Sequence, residues 1–398
     1  MKKIIFIESY YKGLYGAPKS MLELASGLNS KEYLDVSLIT SKNGPLAKKS
    51  NDLGINSFVL PVPELLLKPR SKFKLYQKVV YPFMLIYLWI KQLFNINLIG
   101  KSDYICVNDI RSFLFYLPII FILRDRVSWY VRINDRVKFI SSIAAALSNK
   151  IILISSDCSD VLSENEKQRY QKKLTILNTG FNFKSLDYSA VEEIKGTIEK
   201  YNKVYITVGS ICIRKNQLDI VRAFGKVYKD GDVLLMIGSP PTEIDIKYQD
   251  EVLNLINDSG LKDNVIIVPY TPFVNEYLSL SDVFLFASHK EGLPRVVIEA
   301  LNAGCFVCSS LVDGINDVLV NESIGLITKT KASDDTFVDE FTSNILSIDD
   351  DVLSCRNQRT QYVKDKFDYD GFVNGFENIM KNMDDLSNES EKRIKEYN

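Results

Sequence analysis

The sequence has few of the residues that build disulfide frameworks, metal sites and histidine-based catalytic sites. Its 398 residues include six cysteines, two tryptophans and one histidine. Cysteines so thinly spread indicate reduced thiols, and therefore a reducing compartment such as the cytoplasm. Cys305 and Cys308 form a CxxC, but they lie in an apolar stretch without a second pair, so we interpret them as core residues. We expect no metal ion and no other cofactor.

Excess charge of one sign and a long apolar run are also missing. Lys and Arg total 49 against 50 Asp and Glu, so the net charge of -1 provides no long-range field for nucleic acid. The apolar run 4–7 is cut by Glu8 and lacks a small-residue cleavage site, so we expect a first strand rather than a signal peptide. With 46% apolar and 25% charged residues, the chain is typical of a globular enzyme, and its length predicts two domains.

Residues 68–98 are unusual for such a protein. A stretch rich in aromatic and aliphatic residues is preceded by five basic residues, which are Lys68, Arg70, Lys72, Lys74 and Lys78. Pro82, Lys91 and Gln92 interrupt this stretch before it reaches the ~20 apolar residues of a bilayer span. Two interpretations stay open: a partly exposed helix pair at a membrane surface, and an ordinary amphipathic helix packed on a sheet.

Two segments show the same order of strand, glycine-containing loop and helix. The first covers residues 4–28 and the second covers residues 203–224. Further apolar strand candidates alternate with helix-like stretches, at 36–40, 104–107, 151–154, 233–237, 265–268, 283–286 and 306–308. This alternation predicts an α/β fold with two Rossmann-like domains, each built on a parallel sheet with crossover helices.

A polar, charged stretch at 183–200 is our predicted domain boundary. It separates an N-terminal domain at 1–185 from a C-terminal domain at 195–365. We expect residues 366–398 to form a helix that crosses back to the first domain, followed by a polar tail from about residue 384.

The sharpest local signal runs from Phe286 to Gly304. It has the order of strand end, loop, helix and glycine, and Pro294 suits a first helical turn because it has no N–H to satisfy. A helix start at the carboxyl end of a parallel strand presents unpaired amides that favour phosphate. Glu291 precedes this start, and Glu299 follows it at most ~12 Å further along the helix axis. Two carboxylates can therefore hold one elongated ligand, although spacing alone also allows Glu299 to be a solvated flank residue.

The segment from Glu291 to Glu299 resembles the glutamate-x(7)-glutamate motif of glycosyltransferase family 4, and the resemblance extends over nearly the whole chain. Members have the GT-B fold, in which two parallel sheets face each other across a cleft. The resemblance implies that Glu291 contacts hydroxyl groups of the donor sugar and that Glu299 holds the ribose. It also implies that the amides of Gly292 and Leu293 help to bind the sugar and phosphates.

The loop after Gly209 resembles the family's phosphate loop. Lys215 stands where members have the lysine that neutralises the departing diphosphate, and a metal-free site needs such fixed cations. Many members have an arginine directly after the glycine, where this chain has Ser210. Arg214 either supplies this charge or points to solvent, and the sequence leaves both open. Tyr270 ends a strand where members hold the nucleotide base.

In the N-terminal domain, Gly13 and Gly16 match the family's glycine loop, whose missing Cβ atoms let the backbone approach acceptor and donor, although a plain turn also explains them. Many members have a histidine near the sugar. The corresponding stretch here has Asn134 followed by Asp135, which we assign to the acceptor side and which argues against a histidine-based mechanism. The single histidine, His289, is expected to be a loop residue bordering the site.

The resemblance implies a retaining, metal-independent glycosyltransferase that moves a hexose-type sugar from a UDP- or GDP-sugar to a glycan, a lipid-linked acceptor or a protein. Such enzymes build bacterial surface glycans in the cytoplasm, and residues 68–98 would add contact with the inner face of the membrane. A nucleotide-sugar epimerase or phosphorylase is one alternative, although it generally needs histidines or pyridoxal phosphate. A catalytically silent partner subunit is the other, kept open by Ser210 and Asn134 and opposed by Lys215 and the two glutamates.

Overall fold

The computed structural model describes residues 1–14, 16–68 and 73–396, which divide into two compact units. Unit 1 comprises Met1–Gly180 together with Tyr369–Asn398, and unit 2 comprises Phe181–Asp368. The chain therefore leaves unit 1 once and returns to it with its last helix.

Unit 1 is built on a 7-stranded sheet with the order β3-β2-β1-β4-β5-β6-β7. Every neighbouring pair is parallel. The strands are β1 (Lys2–Glu8), β2 (Leu34–Thr40), β3 (Asn56–Val59), β4 (Tyr104–Val107), β5 (Val127–Val131), β6 (Lys150–Leu153) and β7 (Leu174–Ile176). The order of strands reverses between β1 and β4, so the loops after these two strands diverge to opposite faces of the sheet.

The helices of unit 1 connect these strands and cover the sheet. They are α1 (Ala17–Asn29), α2 (Pro45–Asp52), α3 (Glu64–Leu67), α4 (Leu75–Leu93), α5 (Ile96–Ile99), α6 (Ile110–Phe115), α7 (Leu117–Ile122), α8 (Lys138–Leu147), α9 (Glu164–Arg169) and the last helix α19 (Tyr369–Glu396). The α19 helix packs on β1 and α1. Its Phe376 ring lies 5.7 Å from the ring of Phe6, and the Tyr369 hydroxyl donates to the carbonyl of Glu23 at 2.7 Å.

Unit 2 is built on a 6-stranded parallel sheet with the order β10-β9-β8-β11-β12-β13. Its strands are β8 (Lys203–Val208), β9 (Asp232–Ile237), β10 (Val265–Val268), β11 (Val283–Phe286), β12 (Phe306–Ser309) and β13 (Gly325–Ile327). Its helices are α10 (Tyr188–Ile198), α11 (Gln217–Val227), α12 (Glu243–Asp258), α13 (Val274–Ser279), α14 (Arg295–Asn302), α15 (Ile315–Val318), α16 (Phe337–Leu346), α17 (Asp350–Ser354) and α18 (Arg356–Lys366).

The prediction of two α/β units with parallel sheets is confirmed. The predicted strands are all present, because continuous apolar runs such as Phe284 and its neighbours are buried on both faces of a parallel sheet. Cys305 and Cys308 are fully buried free thiols of the core, as expected. Strands β3, β5, β7 and β13 were not predicted. The edge strands β3 and β7 are partly exposed, so their sequences lack a continuous apolar run.

The polar stretch 183–200 is not a linker in the structure. It contains α10, whose N-terminus is capped by the Asp187 carboxylate and whose Ala190, Ile194 and Ile198 are buried in unit 2. The division between units falls earlier, at Gly180. The exposed side of α10 carries many charged residues. The average polarity of the segment is therefore high, although one side of the helix is apolar. The last helix likewise continues past the predicted start of the polar tail, to Glu396.

The apolar stretch forms one long helix, α4, followed by the short α5. Pro82 lies inside α4 without ending it. Arg70 and Lys72 of the basic segment lie outside the described residues. Within the described chain, α4 and every other helix fall short of the length and apolar character that crossing a membrane requires.

Candidate active site

The loops that follow β8 and β11, the two central strands of the unit 2 sheet, lie side by side at the carboxyl ends of these strands. These two strands pair with each other, while β9 and β12 continue the sheet in opposite directions. Open α/β sheets bind ligands at such a reversal of strand order. The loop after β8 carries Arg214 and Lys215, and the loop after β11 carries Glu291.

The local sequence explains how the loop after β8 presents its two cations. Arg214 and Lys215 lie in a short 3-10 turn, Ile213–Lys215, which ends at Asn216 in the left-handed conformation with φ 55 and ψ 46. Asparagine tolerates this conformation better than most residues. The chain then enters α11 directly, so the turn is held between a buried strand and a buried helix.

Both cations converge on one oxygen of Glu291. Lys215 Nζ lies 2.8 Å and an Arg214 guanidinium nitrogen 2.6 Å from Glu291 Oε1. The Ser288 hydroxyl donates to the same oxygen at 2.8 Å. Arg214 also donates to the carbonyl of Lys290 at 3.0 Å, which ties the two loops together. No described residue donates a hydrogen bond to Glu291 Oε2, so that oxygen is available to accept one.

The electrostatics of this cluster favour an ionised carboxylate and surplus positive charge. Burial alone would raise the pKa of Glu291, but the charges of Lys215 and Arg214 and the hydrogen bonds from Lys215 and Ser288 outweigh it and hold the pKa below its ordinary value. Lys215 is largely buried, and its Nζ lies 4.9 Å from the centre of the Phe286 ring. Two cations against one carboxylate leave a net charge of about +1, which suits a phosphate-bearing ligand.

Two glycines allow close approaches at this site. Gly209 has φ 150, which L side chains rarely adopt, and a Cβ there would lie 3.3 Å from Lys215 Cε. A Cβ on Gly314 would lie 2.3 Å from the carbonyl oxygen of Gly292. Gly292 and Leu293 are buried in the loop that leads into α14. A larger residue at position 314 would therefore displace the loop that carries Glu291.

The remaining predicted donor residues lie near the same edge of the sheet but outside the cluster. Glu299 is on α14, half-buried, between the buried Ile298 and Ala300. Tyr270 follows β10 and is 77% exposed, and its backbone N–H donates to the Ser239 hydroxyl at 3.0 Å. The structure thus brings together Arg214, Lys215 and Glu291, and it leaves Tyr270 as an exposed ring two strands away.

The predicted acceptor residues are all in unit 1. Gly13 is buried in the loop between β1 and α1. Gly16, which we assigned to the donor, is also in unit 1, where it precedes α1 with φ 53. Asn134 is half-buried and Asp135 is exposed in the segment that follows β5. His289 belongs to unit 2, where it is exposed and its backbone N–H donates to the carbonyl of Arg214 at 2.8 Å.

Sequence reasoning missed a buried polar cluster at the reversal of strand order in unit 1. Glu8 ends β1, Asn108 follows β4 and Arg132 follows β5, and their exposed fractions are 3%, 2% and 6%. Asn108 Nδ2 donates to Glu8 Oε2 at 2.5 Å, and Arg132 Nε donates to Asn108 Oδ1 at 2.5 Å. Arg132 also donates to the Ser20 hydroxyl on α1 at 2.6 Å. One signal was available: each of these residues directly follows an apolar run of the sequence.

This cluster holds the start of the loop between β1 and α1. Glu8 Oε1 accepts from the Tyr10 amide at 2.9 Å, and the Asp109 carboxylate accepts from the Ser9 amide at 3.0 Å. Burial, together with the neighbouring charge of Asp109, raises the pKa of Glu8 well above its ordinary value. The unit 1 cluster is therefore a chain of hydrogen bonds around a carboxyl group that resists ionisation.

The described residues contain no group of three or more His, Cys, Asp or Glu side chains arranged to hold a metal ion.

Solved structures with similar folds are glycosyltransferases. Anabaena HepE in complex with UDP superposes with a TM-score of 0.75 at 14% identity, covering 96% of this chain and 100% of that chain. A glycosyltransferase from Rickettsia africae superposes with a TM-score of 0.75 at 16% identity, covering 96% of this chain and 98% of that chain. The fold is that of the GT-B class.

Proteins that are similar in sequence are also glycosyltransferases. Residues 190–364 match the family model "Glycosyl transferases group 1". The capsular polysaccharide biosynthesis glycosyltransferase CapH of Staphylococcus aureus is 24% identical over 337 residues, 80% of this chain and 85% of the relative. The UDP-Gal:alpha-D-GlcNAc-diphosphoundecaprenol alpha-1,3-galactosyltransferase of Escherichia coli is 25% identical over 205 residues, 49% of this chain and under half, 46%, of the relative. These similarities support the prediction that the chain is a glycosyltransferase of the family-4 type.

Proposed function

We propose that this glycosyltransferase moves a hexose-type sugar from a UDP- or GDP-sugar to a glycan, lipid-linked or protein acceptor during bacterial surface-polysaccharide biosynthesis. The transfer retains the anomeric configuration and needs no metal ion. The observation that carries the proposal is the convergence of Arg214 and Lys215 on Glu291 at the reversal of strand order in unit 2.

The cluster suits a nucleoside diphosphate leaving group. Negative charge accumulates on the diphosphate as the bond to the sugar breaks, and Lys215 and Arg214 are fixed cations that stabilise it without metal. Glu291 Oε1 is occupied by these cations and Ser288, so Oε2 is the oxygen that accepts from a donor-sugar hydroxyl. In this assignment Glu291 both orients the two cations and holds the sugar.

We assign the remaining donor contacts from the family resemblance. The amides of Gly292 and Leu293 precede α14 and face the sugar and phosphates, Glu299 takes the ribose, and Tyr270 lies beside the base. Gly209 keeps the backbone clear beside Lys215. Two similar proteins support a uridine nucleotide, because HepE was solved with UDP and the Escherichia coli relative is named for UDP-galactose.

Retention without a protein base requires the leaving group to act as the base. The acceptor oxygen forms its bond to the anomeric carbon on the face from which the diphosphate departs. A phosphate oxygen takes the acceptor proton as the carbon–oxygen bond to the diphosphate breaks. The absence of a histidine near Asn134 and Asp135, which we assign to the acceptor with Gly13, is compatible with this scheme.

The acceptor and the setting are inferred from relatives. CapH is named for capsular polysaccharide biosynthesis, and the Escherichia coli relative is named for a diphosphoundecaprenol acceptor. We therefore favour a lipid-linked glycan acceptor and place the reaction in the cytoplasm at the inner face of the membrane.

A thermal-shift screen with UDP-, GDP-, ADP- and CMP-sugars tests the donor. A donor present at 100 times its Kd should stabilise the protein by about 2.7 kcal/mol. The Glu291→Ala variant should lose both this shift and sugar transfer, whereas Glu251→Ala, which alters an exposed carboxylate on α12, should keep both. A chain that responds to none of these donors would instead be the catalytically silent partner subunit.

The stereochemistry and the metal requirement are tested on the product. Proton NMR of the glycoside formed from an α-linked donor should show an α-linked product, and excess EDTA should leave the rate unchanged. An inverted product or loss of activity in EDTA would contradict the retaining, metal-independent mechanism.

A further inference from the structure

The helix α4 exposes an apolar face that unit 1 leaves uncovered. We define the apolar face of α4 as Tyr76, Val79, Phe83, Ile86, Tyr87 and Ile90, whose exposed fractions range from 49% to 69%. Their spacing of three and four positions places all of them on one side of the helix. Scattered exposed apolar residues are normal, but a continuous stripe of this length marks an interaction surface.

The opposite side of α4 is already packed. Leu85, Leu88 and Gln92 are buried against unit 1, and the Trp89 indole N–H donates to the carbonyl of Leu114 at 2.8 Å. These contacts fix the rotation of the helix, so the apolar face cannot turn inward without breaking them. The face is therefore a stable outward feature of the folded unit.

The exposed apolar surface continues beyond α4. Leu93 at the end of the helix, with Phe121 and Ile122 of α7, lines an apolar groove of about 570 Å³ that is closed on its other side by α8. Phe121 and Ile122 are 58% and 55% exposed. Helix and groove together form a surface larger than one amphipathic helix.

The charge of the residues around this surface indicates which kind of partner it binds. Residues 65–102 contain no aspartate or glutamate, but they contain many basic residues: Lys68, Arg70, Lys72, Lys74, Lys78, Lys91 and Lys101. In the described part, Lys74, Lys78 and Lys91 are exposed. Tyrosine and tryptophan next to lysine, without acidic residues, is the composition of helices that lie in the interface of an anionic bilayer.

We propose that the apolar face of α4 and the adjoining groove dock in the plane of an anionic lipid bilayer, with the lysines on the headgroups. The inference deepens the proposed function by naming the lipid surface as a partner, and it rests on that function for the lipid-linked acceptor that would make docking useful. The docking surface itself stands on residues of unit 1 that take no part in the donor site.

Flotation of the chain with lipid vesicles tests the contribution of the apolar face of α4. The chain should float with vesicles of phosphatidylcholine and phosphatidylglycerol, and only weakly with phosphatidylcholine alone. The F83S/I86S/I90S variant should partition at least about tenfold more weakly, because each exposed side chain loses its apolar burial. The matched control I244S/I246S changes two residues of α12 that are 70% and 50% exposed, and it should float like the unaltered chain.

A second variant tests the contribution of the lysines to binding. K74Q/K78Q/K91Q should weaken binding to the anionic vesicles by about fivefold for each lysine removed, and added salt should have the same effect on the unaltered chain. Equal flotation on vesicles with and without phosphatidylglycerol would overturn the electrostatic half of the proposal.

Other outcomes separate this inference from the proposed function. Failure of the unaltered chain to float, or a serine variant that floats equally well, would overturn lipid docking. A dimer that the serine variant converts to a monomer, without vesicle binding, would assign the face to a second copy of this chain. Both docking variants should keep the thermal shift with UDP, and Glu291→Ala should still float. An unaltered chain that floats but shows no thermal shift with any of the four nucleotide sugars would overturn the donor assignment alone.

Discussion

Unit 1 and unit 2 each place a largely buried glutamate where the order of strands reverses, and the two carboxyl groups are in opposite electrostatic situations. Glu8 ends β1 and faces the Asn108 amide and the Asp109 carboxylate, so its pKa is raised well above the ordinary value. Glu291 follows β11 and faces Lys215 and Arg214, so its pKa is lowered. The topology of the two sheets does not account for this difference.

Because both carboxyl groups are buried, the direction of each pKa shift is decided by the groups that contact the carboxyl. Burial is the largest effect on both groups and disfavours ionisation in each. In unit 2 two cations touch the carboxylate directly. In unit 1 the neutral side chain of Asn108 donates to Glu8 and accepts from Arg132, whose guanidinium lies 3.7 Å from the centre of the Tyr130 ring. Unit 1 is built to hold a loop, whereas unit 2 keeps charge available for a ligand.

The largest expected effect comes from removing the cation that distinguishes unit 2. Lys215→Met should lower the rate of sugar transfer by about 10²–10³-fold, the usual cost of losing one group that stabilises transition-state charge. Steady-state kinetics with the donor found in the thermal-shift screen measures it. Lys226→Met, which alters an exposed lysine paired with Asp339, is the control and should leave the rate unchanged. A similar loss in both variants would remove Lys215 from the mechanism.

The second effect breaks the unit 1 cluster. Arg132→Met leaves Asn108 Oδ1 and the Ser20 hydroxyl without this donor, at a cost of about 2–4 kcal/mol in the free energy of unfolding. Both tryptophans, Trp89 and Trp129, belong to unit 1, so denaturation followed by tryptophan fluorescence reports on this unit.

Arg124→Met is the control for that measurement, because Arg124 is exposed and its contacts are a 4.0 Å surface ion pair with Asp125 and an approach of 5.9 Å to the centre of the Phe121 ring. Equal stability of the Arg132 variant and this control would show that the cluster contributes nothing to the stability of unit 1.

The third effect is a pH dependence. Because the pKa of Glu8 is raised in the folded state, its stabilising contribution is present below the ordinary pKa and is lost as the pH rises through the raised value. In that window the unfolding free energy of unit 1 should fall by up to about 1.4 kcal/mol per pH unit. Glu8→Gln keeps a neutral side chain of the same shape and should remove this part of the slope.

Denaturation at several pH values, again followed by tryptophan fluorescence, compares Glu8→Gln with the exposed-site control Glu32→Gln. The control should retain the slope of the unaltered chain. Parallel curves for all three proteins would mean that Glu8 ionises freely in the folded state. Glu291 has the opposite sign, so its contribution is lost only as the pH falls through its lowered pKa.

The smallest effect concerns the second cation of unit 2. Arg214 is 49% exposed, and solvent screens its interaction with Glu291. Arg214→Met should therefore cost about fivefold in the rate of transfer, corresponding to about 1 kcal/mol. The same kinetic assay as for Lys215 measures it. If the loss matched that of Lys215→Met, Arg214 would be an equal partner rather than an auxiliary charge.

The unit 2 site was predictable because its parts are local. Glu291 and its neighbours form one short motif, and Lys215 follows a glycine at the end of an apolar strand. Parallel strands bring such loops to one edge of a sheet, whichever strands they follow. The direction of the Arg214 side chain was open in the sequence, because an exposed arginine can adopt many rotamers. Its contact with Glu291 depends on the position of a loop 77 residues away.

The unit 1 cluster was not predictable in the same way. Glu8 and Asn108 are 100 residues apart, and Arg132 and Ser20 are 112 residues apart, so no spacing relates them. Glu8, Asn108 and Arg132 resemble ordinary polar residues at the ends of apolar runs, and Ser20 resembles an ordinary polar residue of a helix. The pairing of β1 with β4, and of β4 with β5, brings them into contact.

The sequence by itself determined the two parallel sheets and the loop that carries Glu291, because apolar runs and short motifs encode structure within a few residues of each position. Tertiary structure alone decided which polar residues are buried together in unit 1 and which face of α4 stays outside. Periodicity shows where apolar side chains lie around a helix, but which of them are covered depends on elements distant in the chain.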